Sequence, residues 1–125
     1  MCFHESMRME TPVKISSPAT LTEDCQIGPY WIKKYTAIVL CMDAAHRNPT
    51  QWYEPDKFIP ERFDPKSPLF MTPGGEKRHP YSFCPFLGGA RICLGKTFAE
   101  MATRVVGPKF IHNFDFEFVD KNHYQ

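Results

Sequence analysis

Residues 86–95 read FLGGARICLG: one thiol, Cys93, has glycines on either side, an arginine two residues before it and an amphipathic run beginning just after it. A helix amino terminus carries about half a positive charge and several unpaired N–H groups, so the position suits an anionic sulfur that accepts backbone hydrogen bonds. Gly88, Gly89 and Gly95 allow the backbone to turn tightly and approach a ligand closely. After Gly95, the residues Gly95, Ala99 and Ala102 fall at four-then-three spacing, with Phe98, Met101 and Val105 beside them and Lys96, Glu100, Thr103 and Arg104 opposite. This predicts an amphipathic helix whose small-residue stripe lets a flat macrocycle lie against it. Arg91 can offer a guanidinium to a carboxylate such as a haem propionate, and Phe86 can shield the sulfur. Two plainer readings stand beside this one. A lone cysteine in a Gly-rich loop is often inert, and Gly-rich turns before helices often bind phosphate, although neither G-x-G-x-x-G nor G-x-x-x-x-G-K-[ST] is present.

Outside this stretch the chain reads as one globular domain's worth of sequence. It has 125 residues, 42% of them hydrophobic and 23% charged, with 15 Lys plus Arg against 14 Asp plus Glu. A formal net charge of +1 gives no field to draw the chain to nucleic acid or an anionic membrane, so function must come from a local site. Five cysteines without a C-x-x-C pair argue against a disulfide framework and against tetrahedral zinc. Free thiols are expected, with structural roles for all but Cys93. Neither a run of about 18 apolar residues nor a signal-peptide succession is evident.

Working outward, the spacing predicts the last turns of a helix at the amino end, stopped near Pro12, whose start is expected outside the chain. PYWI and YTAIVLCM, flanking Lys33 and Lys34, predict two strands joined by a tight turn at the lysines. Asp43 is expected to cap a short helix over 44–47, ended by Asn48-Pro49. Residues 50–86 lack sustained periodicity and are rich in proline, and a loop of that length is usually functional. Gly107-Pro108 should end or kink the later helix, and alternating Phe114, Phe116 and Phe118 then predict a half-buried strand.

Phe86-x-x-Gly89-x-Arg91-x-Cys93-x-Gly95 matches the F-x-x-G-x-R-x-C-x-G signature of the cytochrome P-450 superfamily at all five fixed positions, and Ala99 matches an alanine that often follows. Upstream and in the family's order, Glu5-x-x-Arg8 resembles its E-x-x-R helix motif. His46-Arg47-Asn48-Pro49 is similar to its H-R-D-P segment, and Pro60-Glu61-Arg62-Phe63 to its P-E-R-F meander. Glu5 and Arg8 share a helix face at i, i+3, and a buried Glu needs cationic partners, which Arg8 and Arg62 can provide. The resemblance implies a Glu-Arg-Arg cluster that holds the meander under the cysteine loop.

The resemblance implies that residues 1–125 are a partial domain: an α+β, loop-rich, carboxy-terminal portion of the mainly helical cytochrome P-450 fold. It also implies haem b (iron protoporphyrin IX) as cofactor, with Cys93 as metal ligand and catalytic residue and with Phe86, Gly89, Arg91, Gly95 and Ala99 around the cofactor. The implied activity is a monooxygenase that inserts one atom of O2 into an apolar small-molecule substrate. Its electron donor is a reductase or a ferredoxin, with no nucleic-acid partner and little activity expected from these 125 residues alone. The implied location is the endoplasmic reticulum membrane for a eukaryotic protein and the cytoplasm for a bacterial one. Two further readings are a haem-thiolate isomerase or dehydratase, and a non-catalytic truncated remnant. His46 is expected to be structural, and His4, His79, His112 and His123 to lie on the surface.

Overall fold

A computed structural model describes residues 1–117 and Val119, and divides them into two compact units: Met1–Arg91 and a second beginning at Ile92. The first unit opens with α1, Cys2–Met9, which ends where Glu10 N–H bonds back to Ser6 and Pro12 follows. Its inward face carries Glu5 and Arg8, both fully buried.

The chain next folds into an irregular antiparallel hairpin. Strands β1, Ala19–Thr20, and β4, Ala37–Ile38, pair at its base, with an isolated bridge between Ile15 and Cys41 beyond them. Strands β2, Cys25–Ile27, and β3, Tyr30–Ile32, pair at its tip in the same register. The reversal therefore lies at Gly28-Pro29, with Gly28 at φ +56°, as a two-residue turn with glycine first requires. The expected turn at Lys33-Lys34 is instead a kink within one arm. There Asp24 accepts from Lys33 Nζ at 2.9 Å and from Lys34 N–H at 2.8 Å, and Tyr35 takes φ +67°. Hydrogen bonding to Lys33 and Lys34 holds the Asp24 carboxyl below its usual range.

Helix α2 spans Met42–His46. Asp43 does not cap it: Cys41 occupies the cap position, and Asp43 lies in the first turn, its carboxylate 3.5 Å from Arg47 Nε. Arg47 also donates to Met9 O at 2.7 Å and to Asp56 at 3.0 Å, joining the end of α1 to the long loop. Asn48 Oδ1 accepts from Thr50 N–H at 2.9 Å, an Asx turn that launches that loop. Short 3-10 turns at Pro60–Phe63, Pro68–Phe70, Pro80–Ser82 and Gly89–Arg91 punctuate it, three of them begun by a proline that presets φ.

The centre of this unit is polar. Met42 and Trp52 are its buried apolar side chains among the described residues, whereas Glu5, Arg8, Thr11, His46, Arg62 and Ser82 are all buried. Around them Phe63 and Phe83 meet edge to face at 4.9 Å, with His4 5.4 Å from Phe63. His4 is thus half-buried in an aromatic cluster and not a surface residue, while His79 and His112 are exposed and His123 lies outside the described residues.

The second unit is built on α3, Lys96–Asn113. Contrary to expectation, Gly107-Pro108 does not end it. Proline's φ of about −65° suits a helix, so the cost is the missing donor and local crowding. Residues 114–117 form no strand. Phe114 N–H bonds to Phe110 O, and the Phe114 and Phe116 rings lie 5.1 and 6.0 Å from Phe110. Phe118, the third residue of that alternation, lies outside the described residues.

Candidate functional site

Glu5 is the hub of the first unit. Its carboxylate accepts from Arg8 Nε and Nη2, both at 2.8 Å, from Ile59 N–H at 2.9 Å and from Arg62 Nε at 3.2 Å. Helical i, i+3 spacing brings Arg8 to Glu5, and the 3-10 turn at Pro60–Phe63 aims Arg62 at the same carboxylate. Burial pushes the Glu5 carboxyl up, but hydrogen bonds from Arg8 and Ile59 and the charges of both arginines outweigh it, leaving it below its usual range. Burial, together with the neighbouring Arg8 charge, lowers Arg62 against the opposing pull of Glu5.

The remaining guanidinium donors are spent on backbone carbonyls. Arg8 Nη1 donates to His46 O at 2.9 Å and to Pro55 O at 2.7 Å, and its Nη2 to Lys57 O at 3.1 Å. Arg62 donates to Tyr53 O, to Glu54 O at 2.7 Å and to Lys57 O at 3.2 Å. Two side chains thus pin residues 46–57, a loop that has no ladder of its own to satisfy those carbonyls.

Trp52 and Arg78 belong to this assembly and were missed by sequence reasoning. The Trp52 indole, 1% exposed, donates to Ala45 O at 3.2 Å and to Ser82 O at 3.3 Å, tying α2 to the segment before the cysteine loop. The Arg78 guanidinium stacks over it at 4.3 Å and donates to Leu69 O at 2.9 Å and to Arg62 O at 2.5 Å. Burial lowers the Arg78 pKa, as does the charge of Arg62. Their only sequence signal was one large aromatic and one cation in a proline-rich run, and nothing local links positions 26 residues apart.

The Gly-rich residues are shared between the units. In the first, Leu87 N–H returns to Cys84 O at 3.0 Å, with Leu87 at φ +60° and Gly89 at φ +62°. A β-carbon at Gly88 would lie 2.6 Å from Tyr81 Cε1, so the Tyr81 ring needs glycine there. Phe86 is half-buried, and Arg91 is exposed at the end of its 3-10 turn. In the second unit Cys93 is a free, exposed thiol. Its carbonyl accepts from Lys96 N–H at 3.2 Å, Gly95 is the α3 N-cap, and Ala99, half-buried, donates its N–H to Gly95 O at 2.9 Å.

An exposed thiol engaged in no disulfide has the chemistry of the thiolate that haem iron takes as a ligand. Among the described residues no three His, Cys, Asp or Glu side chains gather where they could hold a metal ion. Among the described residues, too, no helix is long and apolar enough to cross a membrane.

Comparison with known proteins agrees with the resemblance. The cytochrome P-450 family profile matches residues 1–124. The chain is 35% identical over 116 residues to the cytochrome P-450 CYP82J17 of Trigonella foenum-graecum, covering 90% of this chain and 21% of that protein. It is 34% identical over 111 residues to vinorine hydroxylase of Rauvolfia serpentina, covering 89% and 22%. A solved structure of a retinoic-acid-bound cyanobacterial CYP120A1 superposes with a TM-score of 0.83 at 29% identity, covering 96% of this chain and 26% of that one. The chain thus spans about a fifth of the length of the curated relatives it matches.

Proposed function

The chain belongs to the cytochrome P-450 family, whose fold it shares as a loop-rich α+β portion, and on that premise we propose that Cys93 is the thiolate ligand of a haem b iron in a monooxygenase. The observation that supports this reading is the free, exposed thiol of Cys93 two residues before the N-cap of an eighteen-residue helix, within a five-position match to the family signature. When bound, haem supplies the redox chemistry, and thiolate ligation enriches the iron in electron density and favours O–O cleavage.

The chain's own residues have separate tasks. Cys93 binds through sulfur. Gly95 and Ala99 keep the start of α3 free of bulk, so that a flat macrocycle can lie close to it. Arg91 offers its exposed guanidinium to a propionate. Phe86 holds the first position of the signature, and Gly89, at φ +62°, supplies the left-handed backbone of the turn before Cys93. Glu5, Arg8 and Arg62 act at a distance from the chemistry, by holding the loop that leads toward this stretch. The substrate is an apolar small molecule that receives one oxygen atom of O2, and electrons come from a reductase or ferredoxin.

The test is the reduced, carbon-monoxide difference spectrum of the haem-supplied chain and of a chimaera in which it replaces the equivalent quarter of the cyanobacterial neighbour. A thiolate-type Soret band that Cys93→Ala abolishes is the expected result. No such band in either protein, or one that survives the substitution, rules the reading out.

A further inference from the structure

His46 is fully buried, yet none of the roles above uses its ring. Its Nε2 accepts the Cys84 N–H at 3.0 Å, so the lone pair sits on Nε2 and the neutral ring carries its proton on Nδ1. The ring packs 5.4 Å from Phe83. Through its main chain the same residue accepts from Arg8 Nη1 at 2.9 Å. One residue therefore joins the Glu5–Arg8–Arg62 cluster, by its carbonyl, to the start of the Gly-rich segment, by its imidazole.

The backbone just beyond Cys84 is strained, and that point needs holding. Leu87 N–H closes a turn onto Cys84 O, and Leu87 sits at φ +60°, where a side chain with a β-carbon crowds the carbonyl oxygen. Backbone in such a conformation persists only where its surroundings over-determine it. Cys84 is the residue at which this turn begins, and the partner of its amide is the His46 lone pair.

We propose that His46 is a positioning residue for the cysteine loop: its Nε2 lone pair fixes Cys84, and with it the strained turn that delivers Phe86, Gly89 and Arg91, so the turn depends on the neutral ring. The functional consequence rests on Cys93 being the haem ligand; the positioning itself does not.

Protonation removes the lone pair and sets an N–H against the Cys84 N–H. The groups that face the ring are Arg8 from α1, Asp43 on its own helix and Cys84 from the loop. Burial lowers the His46 pKa below its usual 6.5; the pull of the Arg8 backbone carbonyl on the ring N–H and the Asp43 charge oppose this, and the Arg8 charge reinforces it. Because the folded value is depressed, the contribution is fully present above about pH 6.5 and is lost as pH falls through the lower folded value.

Amide hydrogen exchange on the full chain, with intrinsic rates divided out, reads the positioning directly. In His46→Phe the Cys84 and Leu87 amides should exchange about 10- to 100-fold faster at neutral pH, the range for a buried donor left without its acceptor. The hairpin amides of Leu21 and Tyr35, which donate to Thr36 O at 3.1 Å and to Leu21 O at 2.9 Å, should be unchanged, which separates this effect from general unfolding. His46→Gln, whose side-chain carbonyl reaches the Nε2 position, should restore protection to within a few-fold and remove the acid-side acceleration that the native chain shows. Native-like exchange in His46→Phe, or the same pH response in His46→Gln as in the native chain, overturns the proposal. The Soret band of the haem-supplied proteins is recorded in parallel. A Soret band lacking thiolate character in the native protein counts against Cys93 as ligand, with the exchange result still deciding the role of His46. Normal thiolate spectra with unaltered exchange would overturn His46 alone.

Discussion

Glu5→Gln removes the one negative charge that faces both buried guanidinium groups. The side chains of Glu5 and Arg8 are 0% exposed and that of Arg62 is 1% exposed, so solvent does not replace the lost counter-charge. Glutamine keeps an acceptor where Oε1 receives Arg8 Nη2, Ile59 N–H and Arg62 Nε, but its amide nitrogen then confronts Arg8 Nε, a donor, where Oε2 had accepted at 2.8 Å. Breaking a buried pair from one side costs about 3–5 kcal/mol. The carbonyls that already occupy the outer nitrogens of both arginines place the loss near the lower end, about 3 kcal/mol. Against a total stability of about 5–15 kcal/mol this is a large fraction. Urea unfolding should move its midpoint down by about 1–3 M, for slopes of about 1–3 kcal/mol per M. The dependence on pH is the sharper readout. The Glu5 carboxyl is held below its usual 4.5, so its contribution is fully present above about pH 4.5 and is lost as pH falls through the lower folded value. The gap between native chain and variant should therefore be full at neutral pH and close in acid. A loss below about 1 kcal/mol, or a gap that stays constant between about pH 6 and pH 3, would refute the idea that this carboxylate is the electrostatic hub.

Other predictions concern single contacts. Trp52→Phe leaves Ala45 O and Ser82 O without the indole donor and opens space beneath Arg78, so thermal or urea unfolding should show a loss of about 2–3 kcal/mol. Gly88→Ala drives a β-carbon into the Tyr81 ring and should cost about 1 kcal/mol by the same assay; Tyr81→Ala added to it should recover most of that, since the clash is with one exposed side chain. Pro108→Ala restores an internal donor to α3 and should raise helix content by circular dichroism and stabilise that helix by up to about 3 kcal/mol, with no change where the Glu5 cluster is concerned.

Parts of the fold that depend on short-range geometry were legible in the sequence. Glu5 and Arg8 had to share a face once the segment was helical, and the small-residue spacing after Gly95 marked the start of α3. Errors arose where a local signal competed with a non-local one. Two lysines between apolar runs resembled a hairpin turn, but the strand register runs through them and reverses at Gly28-Pro29, because glycine there accepts the positive φ that the turn needs. Alternating phenylalanines resembled a strand, yet alternation makes a strand only where a partner offers a ladder. Phe114 and Phe116 pack on Phe110 instead. Asp43 resembled a cap, but its carboxylate lies within 3.5 Å of Arg47. The tie from Trp52 to Ser82 and the stacking of Arg78 on that indole link distant residues through a loop without periodicity, and no spacing rule exposes such contacts. The loop's length without periodicity did mark it as functional, and three arginines hold it through its backbone carbonyls.

Iron-edge X-ray absorption on the haem-supplied protein tests the central claim, that Cys93 is the ligand, most directly. The account predicts one sulfur scatterer in the first shell of the iron, lost in Cys93→Ala and retained when any of Cys2, Cys25, Cys41 or Cys84 is replaced. An iron with nitrogen or oxygen neighbours alone, or a sulfur that persists without Cys93, would contradict it.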